Sequence, residues 1–134
     1  MQEQARILVV DDDPDILEAV RTVLESREYV VSTAKNGEEG LDMIRKSRPD
    51  LLILDLLMPK KDGFAVCREL KEHPKYADLP IVILTSVRED ASRRRYELET
   101  GLSLDVDDYV EKPVAPLDLL HRVEVVLKRK AKRS

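Results

Sequence analysis

An aspartate closes a run of four branched aliphatic residues at Leu51-Leu52-Ile53-Leu54-Asp55. Such a run reads as a strand buried on both faces, the kind that lies at the centre of a helix-covered parallel sheet. An ionisable group at its end needs a reason. Pro59 and Asp62-Gly63 turn the chain just beyond it. The same pattern recurs where Ile7-Leu8-Val9-Val10 runs into Asp11-Asp12-Asp13, and where Ile81-Val82-Ile83-Leu84 runs into Thr85-Ser86. A weaker case is Tyr109-Val110, which leads through Glu111 to Lys112-Pro113. If these strands are parallel neighbours, their polar ends share one cleft holding Asp11, Asp12, Asp55, Thr85 and Lys112. The carboxyl edge of an open α/β sheet is where ligands bind.

Crowded carboxylates are costly. At about 4 Å and an effective dielectric near 20, each like-charge pair costs about 4 kcal/mol, against a typical domain stability of about 5–15 kcal/mol. Either the carboxylates take up protons or a cation neutralises them. Lys112 offers one positive charge, and a divalent metal would supply two more. An all-oxygen site with room for water favours Mg²⁺, with Mn²⁺ able to substitute. Such a metal beside a hydroxyl and a lysine is equipped to handle a phosphoryl group: the cations neutralise its oxygens, Thr85 donates a hydrogen bond, and Asp55 is the nucleophile. The bland alternative is that Asp11 to Asp13 cap the following helix and Asp55 pairs with Lys112. It accounts for each residue singly and not for all of them together.

The elements that must position these groups alternate along the chain. After strand Ile7–Val10, Asp13 reads as an N-cap with Pro14 at the first helical position, and Ile16, Leu17, Val20, Val23 and Leu24 space out one apolar helix face ending near Arg27. Tyr29 to Ala34 is a more polar strand expected nearer an edge, with Asn36-Gly37 as a turn. A second helix turns Leu41 and Ile44 inward and stops before Pro49. A third runs from Gly63-Phe64 to about Glu72 on Val66, Cys67 and Leu70. The fourth, Arg88 to Thr100, is strongly charged, with Ala91, Tyr96 and Leu98 as its inward candidates, and it should pack loosely up to a C-terminus at Gly101. The fifth runs from Pro116 to about Lys130 on Leu117, Leu120, Val123 and Leu127. Five strands and five helices in alternation give a doubly wound α/β fold with a parallel sheet.

A length of 134 residues suits one domain, with its core over about residues 6–127 and a basic end at 128–134 read as the solvated, fraying tail of the last helix. The net charge of −4 argues against direct nucleic-acid binding. The apolar runs are far too short for a membrane span, and the first six residues lack the apolar stretch of a signal peptide, so the expected location is the cytoplasm. A single cysteine, Cys67, excludes an internal disulfide, and its helical spacing makes it a packing residue. His73 and His121 lack ligand partners in sequence, and Arg93-Arg94-Arg95 reads as a solvated helix face.

Ile-Leu-Val-Val-Asp-Asp-Asp-Pro at 7–14, Leu-Asp-Leu-Leu-Met-Pro with Asp-Gly at 54–63, Pro-Ile-Val-Ile-Leu-Thr-Ser at 80–86 and Asp-Tyr-Val-Glu-Lys-Pro at 108–113 resemble the receiver domain of two-component response regulators. The resemblance covers nearly the whole chain. It implies a flavodoxin-like, CheY-like fold with strand order 2-1-3-4-5 and a cis peptide before Pro113. It also implies that Asp55 accepts phosphate from a sensor histidine kinase or phosphotransfer protein, with Asp11, Asp12, Asp55 and the main-chain carbonyl of Leu57 holding Mg²⁺. Thr85 and Lys112 would bind the phosphoryl oxygens. Tyr109 would be an aromatic switch that fills space vacated when Thr85 moves inward, remodelling helix four, strand five and helix five for a downstream effector; a plain half-buried strand tyrosine is the alternative. No turnover enzyme is implied, only a domain promoting its own phosphorylation and dephosphorylation.

Two features are particular to this chain. Lys112 follows Thr85 by 27 residues, longer than is usual in the family, and the excess falls in Gly101 to Asp107; altered partner recognition at helix four is expected from it. Leu57 and Val87, two residues beyond Asp55 and Thr85, cannot orient a water, so slow self-dephosphorylation is expected. Among rivals, a haloacid dehalogenase-type hydrolase would need a threonine within the Asp11 motif and a cap domain, and neither is present. An FMN carrier of the same fold would need a hydroxyl- or glycine-rich phosphate loop after strand one. A receiver that binds partners without phosphate is disfavoured by the intact acidic set and Lys112.

Overall fold

The computed structural model describes residues 4–58, 61–100 and 105–133, without the side chains of 87–90, 92 and 131–133. Its elements are β1 (Arg6–Val10), α1 (Pro14–Glu25), β2 (Val30–Ala34), α2 (Gly37–Lys46), β3 (Leu51–Asp55), α3 (Gly63–Glu72), β4 (Ile81–Thr85), α4 (Val87–Thr100), β5 (Asp108–Glu111) and α5 (Pro116–Arg133). All strand pairings are parallel, in the order β2-β1-β3-β4-β5. β1 therefore lies beside β3, with Val10 opposite Leu54, and Thr85 lies opposite Glu111, so the polar ends converge as the sequence requires.

Every residue of β3 and β4 is buried. Alternate side chains project to opposite faces, and two apolar layers result. Leu8, Val10, Leu52, Leu54, Ile81 and Ile83 meet α2 and α3 through Leu41, Ile44, Phe64, Val66, Cys67 and Leu70. On the other face Ile7, Val9, Leu51, Ile53, Val82 and Leu84 meet Val20 and Leu24 of α1 and Leu119, Leu120, Val123 and Val126 of α5. Cys67 is a packing residue, and burial pushes its thiol up to about 12.

Helix starts are fixed by side chains accepting hydrogen bonds from first-turn amides. Asp13 caps α1 through Asp15 N at 2.9 Å, and Asp62 caps α3 through Ala65 N at 2.9 Å. Asn36, expected in a turn, instead caps α2 by accepting from Glu39 N at 2.9 Å, and Gly37 is already helical. Gly63 permits a close approach between the start of α3 and the end of β3. A Cβ there would lie 2.5 Å from the carbonyl oxygen of Asp55 and 2.6 Å from Leu56 Cα.

Several expectations of facing fail. In α4, Ala91 is exposed and Leu98 is 86% exposed, and no described side chain of the helix is buried. Tyr96 alone of its three candidates packs on the core, with its ring stacked on Phe64 at 4.8 Å between centroids. In α5, Leu117 is 74% exposed; the buried stripe is Leu119, Leu120, Val123 and Val126, because the helix is rotated so that its first-turn leucine faces away from the sheet. Arg93 is not solvated like Arg94 and Arg95 but half-buried. The basic end is not simply frayed: α5 continues to Arg133, and Lys130 pairs with Asp107 at 3.4 Å. Asp107 also accepts from Ile81 N at 2.8 Å, tying the entry of β5 to the start of β4. The C-cap expected at Gly101 and most of the long connection, 101–104, lie outside the described residues.

Candidate functional site

Asp11 follows β1 directly, and its N–H donates to Ala34 O at 3.1 Å, continuing the bonding to β2. Asp13 N donates to Asp11 Oδ1 at 2.9 Å, so the helix-capping turn also orients the Asp11 carboxylate. Asp55 ends β3, and Leu57 N donates to its Oδ1 at 3.3 Å. The backbone of Leu57 therefore lies against Asp55, while its side chain packs on the core. Lys112 N donates to Thr85 O at 2.7 Å, which ties the ends of β5 and β4 together. The peptide between Lys112 and Pro113 is cis, as the resemblance implied.

Among the described residues, the buried polar side chains are Asp11, Asp55 and Thr85. All three belong to this cluster, although nothing ties them in the primary order. Carboxylate oxygens of Asp11, Asp12 and Asp55 lie within 4.8 Å of one another, with Asp12 exposed and the other two buried. The Lys112 ammonium bridges the buried pair, 3.2 Å from Asp11 Oδ2 and 3.4 Å from Asp55 Oδ1. The Thr85 hydroxyl donates to the Ser86 carbonyl at 3.3 Å. Tyr109, in β5, is half-buried against the α2–α3 side of the core, and its hydroxyl accepts from Arg93 Nη1 at 3.3 Å.

The electrostatics are unbalanced. Burial pushes the Asp11 carboxyl up to about 6; the Asp13 amide opposes this, the Asp55 charge adds to it, and Lys112 offsets part of it. Among the described residues, one ammonium lies against three clustered carboxylates. Asp11 Oδ2 is buried, and its close polar partner among the described residues is the Lys112 ammonium at 3.2 Å. Oxygen-only donors, one exposed side and an excess of negative charge suit a hard divalent cation that keeps some of its waters. The residues fit Mg²⁺.

The structure thus brings Asp11, Asp12, Asp55, Thr85 and Lys112 to one strand-end cleft, with Leu57 beside Asp55 and Tyr109 on the adjoining strand. The side chain of Val87 lies outside the described residues. Two contributions had no sequence signal: the Asp13 amide that aims Asp11, and the Arg93 guanidinium on Tyr109. The first is a backbone group, and the second pairs residues sixteen positions apart on different elements.

Comparison with known proteins gives a consistent result. Residues 7–124 match the family model described as the response regulator receiver domain. The chain is 45% identical to the response regulator MprA of Mycobacterium avium (strain 104) over 92% of its own length and 51% of that protein. It is 40% identical to the ycf27 protein of Guillardia theta over its whole length and 50% of that protein. The chain thus spans about half the length of the curated relatives it matches. Among solved structures, a response regulator receiver domain protein from Clostridium thermocellum superposes with a TM-score of 0.82 at 29% identity, covering 97% of this chain and 99% of that one. The chemotaxis protein CheY4 of Vibrio cholerae gives 0.79 at 27% identity, covering 92% and 99%. No helix of the described residues is long and apolar enough to cross a membrane.

Proposed function

Because the chain belongs to the receiver-domain family of response regulators, we propose that Asp55 is its phosphoacceptor. A carboxylate oxygen of Asp55 attacks the phosphorus of a phosphohistidine on a sensor kinase or phosphotransfer protein; the P–O bond forms as the P–N bond breaks, and the imidazole leaves. Asp11, Asp12, Asp55 and the main-chain carbonyl of Leu57 are the groups that would hold Mg²⁺, with Mn²⁺ as a substitute. When bound, the ion supplies charge neutralisation for the phosphoryl oxygens. The ammonium of Lys112 lies at the Asp55 carboxylate and pairs with a phosphoryl oxygen there, and the Thr85 hydroxyl turns from the Ser86 carbonyl to donate to another. The observation that carries the reading is the Lys112 ammonium set between two buried carboxylates, 3.2 Å from Asp11 and 3.4 Å from Asp55.

Movement of Thr85 vacates space that the Tyr109 ring fills, and α4, β5 and α5 present a changed surface to a downstream effector. The domain turns over no substrate of its own and acts in the cytoplasm beside its kinase. Leu57, apolar and packed on the core, cannot orient an attacking water, so the acyl phosphate is long-lived. Replacing Leu57 and Val87 together by polar residues should speed phosphate loss.

Incubation with acetyl phosphate and Mg²⁺, followed by intact-protein mass spectrometry, tests the assignment. Wild-type protein should gain one phosphoryl group and Asp55→Asn none, and a chelator should suppress labelling at least about tenfold. Labelling that persists in Asp55→Asn would overturn the phosphoacceptor assignment. A wild-type protein that takes no label would leave a receiver that binds partners without phosphate.

A further inference from the structure

Among the described side chains of helix α4, two make aromatic contacts with the body. Tyr96 stacks on Phe64 at the start of α3, with centroids 4.8 Å apart and planes 24° apart. One turn earlier, on the same side of the helix, the Arg93 guanidinium lies over the Tyr109 ring, 4.8 Å from its centroid, and Nη1 donates to the Tyr109 hydroxyl at 3.3 Å. Arg93 therefore grips both the face of that ring and its polar tip. A rotation of Tyr109 about its Cα–Cβ bond breaks both contacts at once, because the face and the hydroxyl leave the guanidinium together. The Phe64 stack fixes the helix turn that carries Arg93, so the grip does not depend on a freely sliding helix.

We propose that Arg93 is a positioning residue that acts through Tyr109: it holds the ring in its present half-buried setting and so sets how readily the domain leaves its resting state. The functional half of this statement rests on the reading of Tyr109 as the switch; the positional half does not. A cation over an aromatic face, reinforced by a hydrogen bond, should bias the ring equilibrium by about three- to tenfold. Arginine suits the task better than lysine, since a planar guanidinium covers a ring and forks a donor toward its hydroxyl.

The test uses the protein labelled with fluorotyrosine, whose four tyrosine signals are assigned by Tyr→Phe substitution and followed by ¹⁹F NMR without phosphodonor. Arg93→Ala should raise the population of a second Tyr109 signal by about three- to tenfold and accelerate acetyl phosphate labelling of Asp55. Leu98→Ala, on the exposed side of the same helix, should change neither. An Arg93→Ala protein of native helix content whose Tyr109 signal matches wild type overturns the proposal. If Arg93→Ala loses helix content, Arg93→Gln, which keeps a helix-compatible side chain but is uncharged and too short to cover the ring, is read by the same criterion. The ring population needs no phosphoryl transfer. A shifted ring with no labelling of wild-type protein would therefore sink the phosphoacceptor reading and keep Arg93 as the group that positions Tyr109. Normal labelling with an unmoved ring would do the reverse.

Discussion

The carboxyl end of β3 and helix α4, which follows the carboxyl end of β4, are built on opposite terms. Asp55 ends a strand buried along its whole length, clamped by Leu57 N and Lys112 and backed by Gly63 at van der Waals limits. No described side chain of α4 is buried, and the helix leans on the rings of Phe64 and Tyr109. A group proposed to react, as Asp55 is, must be held to a fraction of an ångström. An element proposed to report, as α4 is, must have an alternative position within a few kcal/mol. Packing density separates the two demands: a close-packed interior has no second arrangement available, whereas a helix with no buried side chain among those described is not locked in that way.

Substitutions can break this contrast, and the largest effect belongs to the buried strand. Ile53→Ala, at a fully buried β3 position, should lower stability by about 3–4 kcal/mol in urea unfolding. A loss under about 1 kcal/mol would mean that the strand bed is softer than its burial implies. Gly63→Ala comes next, at about 2 kcal/mol, because its Cβ would meet backbone atoms that cannot step aside cheaply. It should also slow phosphorylation by displacing Asp55, which separates a positional effect from a merely global one. Tyr96→Ala should cost only about 1 kcal/mol globally, while amide exchange across α4 quickens and that across β3 does not; uniform protection in both would erase the distinction. Smallest is Leu98→Ala, expected to remain within about 0.5 kcal/mol of wild type in the same urea assay, since the side chain is 86% exposed.

How much was legible follows the range of each signal. Strands β1, β3 and β4 and their acidic or hydroxyl ends were readable because four consecutive aliphatics followed by a polar residue is a local pattern with one physical meaning in this fold class. The cap at Asp13 was local too, whereas Asp62, which caps α3, read only as a turn residue beside Gly63. The facing of α4 was not readable, since a helix with almost no apolar residues carries no periodicity to phase, and Ala91 and Leu98 were assigned inward by default. In α5 the leucines and valines are numerous enough to support more than one stripe. The sheet selected the one through Leu119 and Val126 and left Leu117 outside. The pairings of Arg93 with Tyr109, Phe64 with Tyr96 and Lys130 with Asp107 left no trace in the chain order.

By itself, then, the order of residues determined which groups would stand at the strand ends and what chemistry they are suited to, because strand formation and the placement of a polar residue after a buried run are decided within a few residues of chain. Only the tertiary structure decided that Asp11 is buried, that Lys112 divides itself between two carboxylates, and that Arg93 leaves the solvent to cover Tyr109. Those outcomes depend on desolvation and on distances between elements, and neither exists until the sheet has closed its neighbours around them.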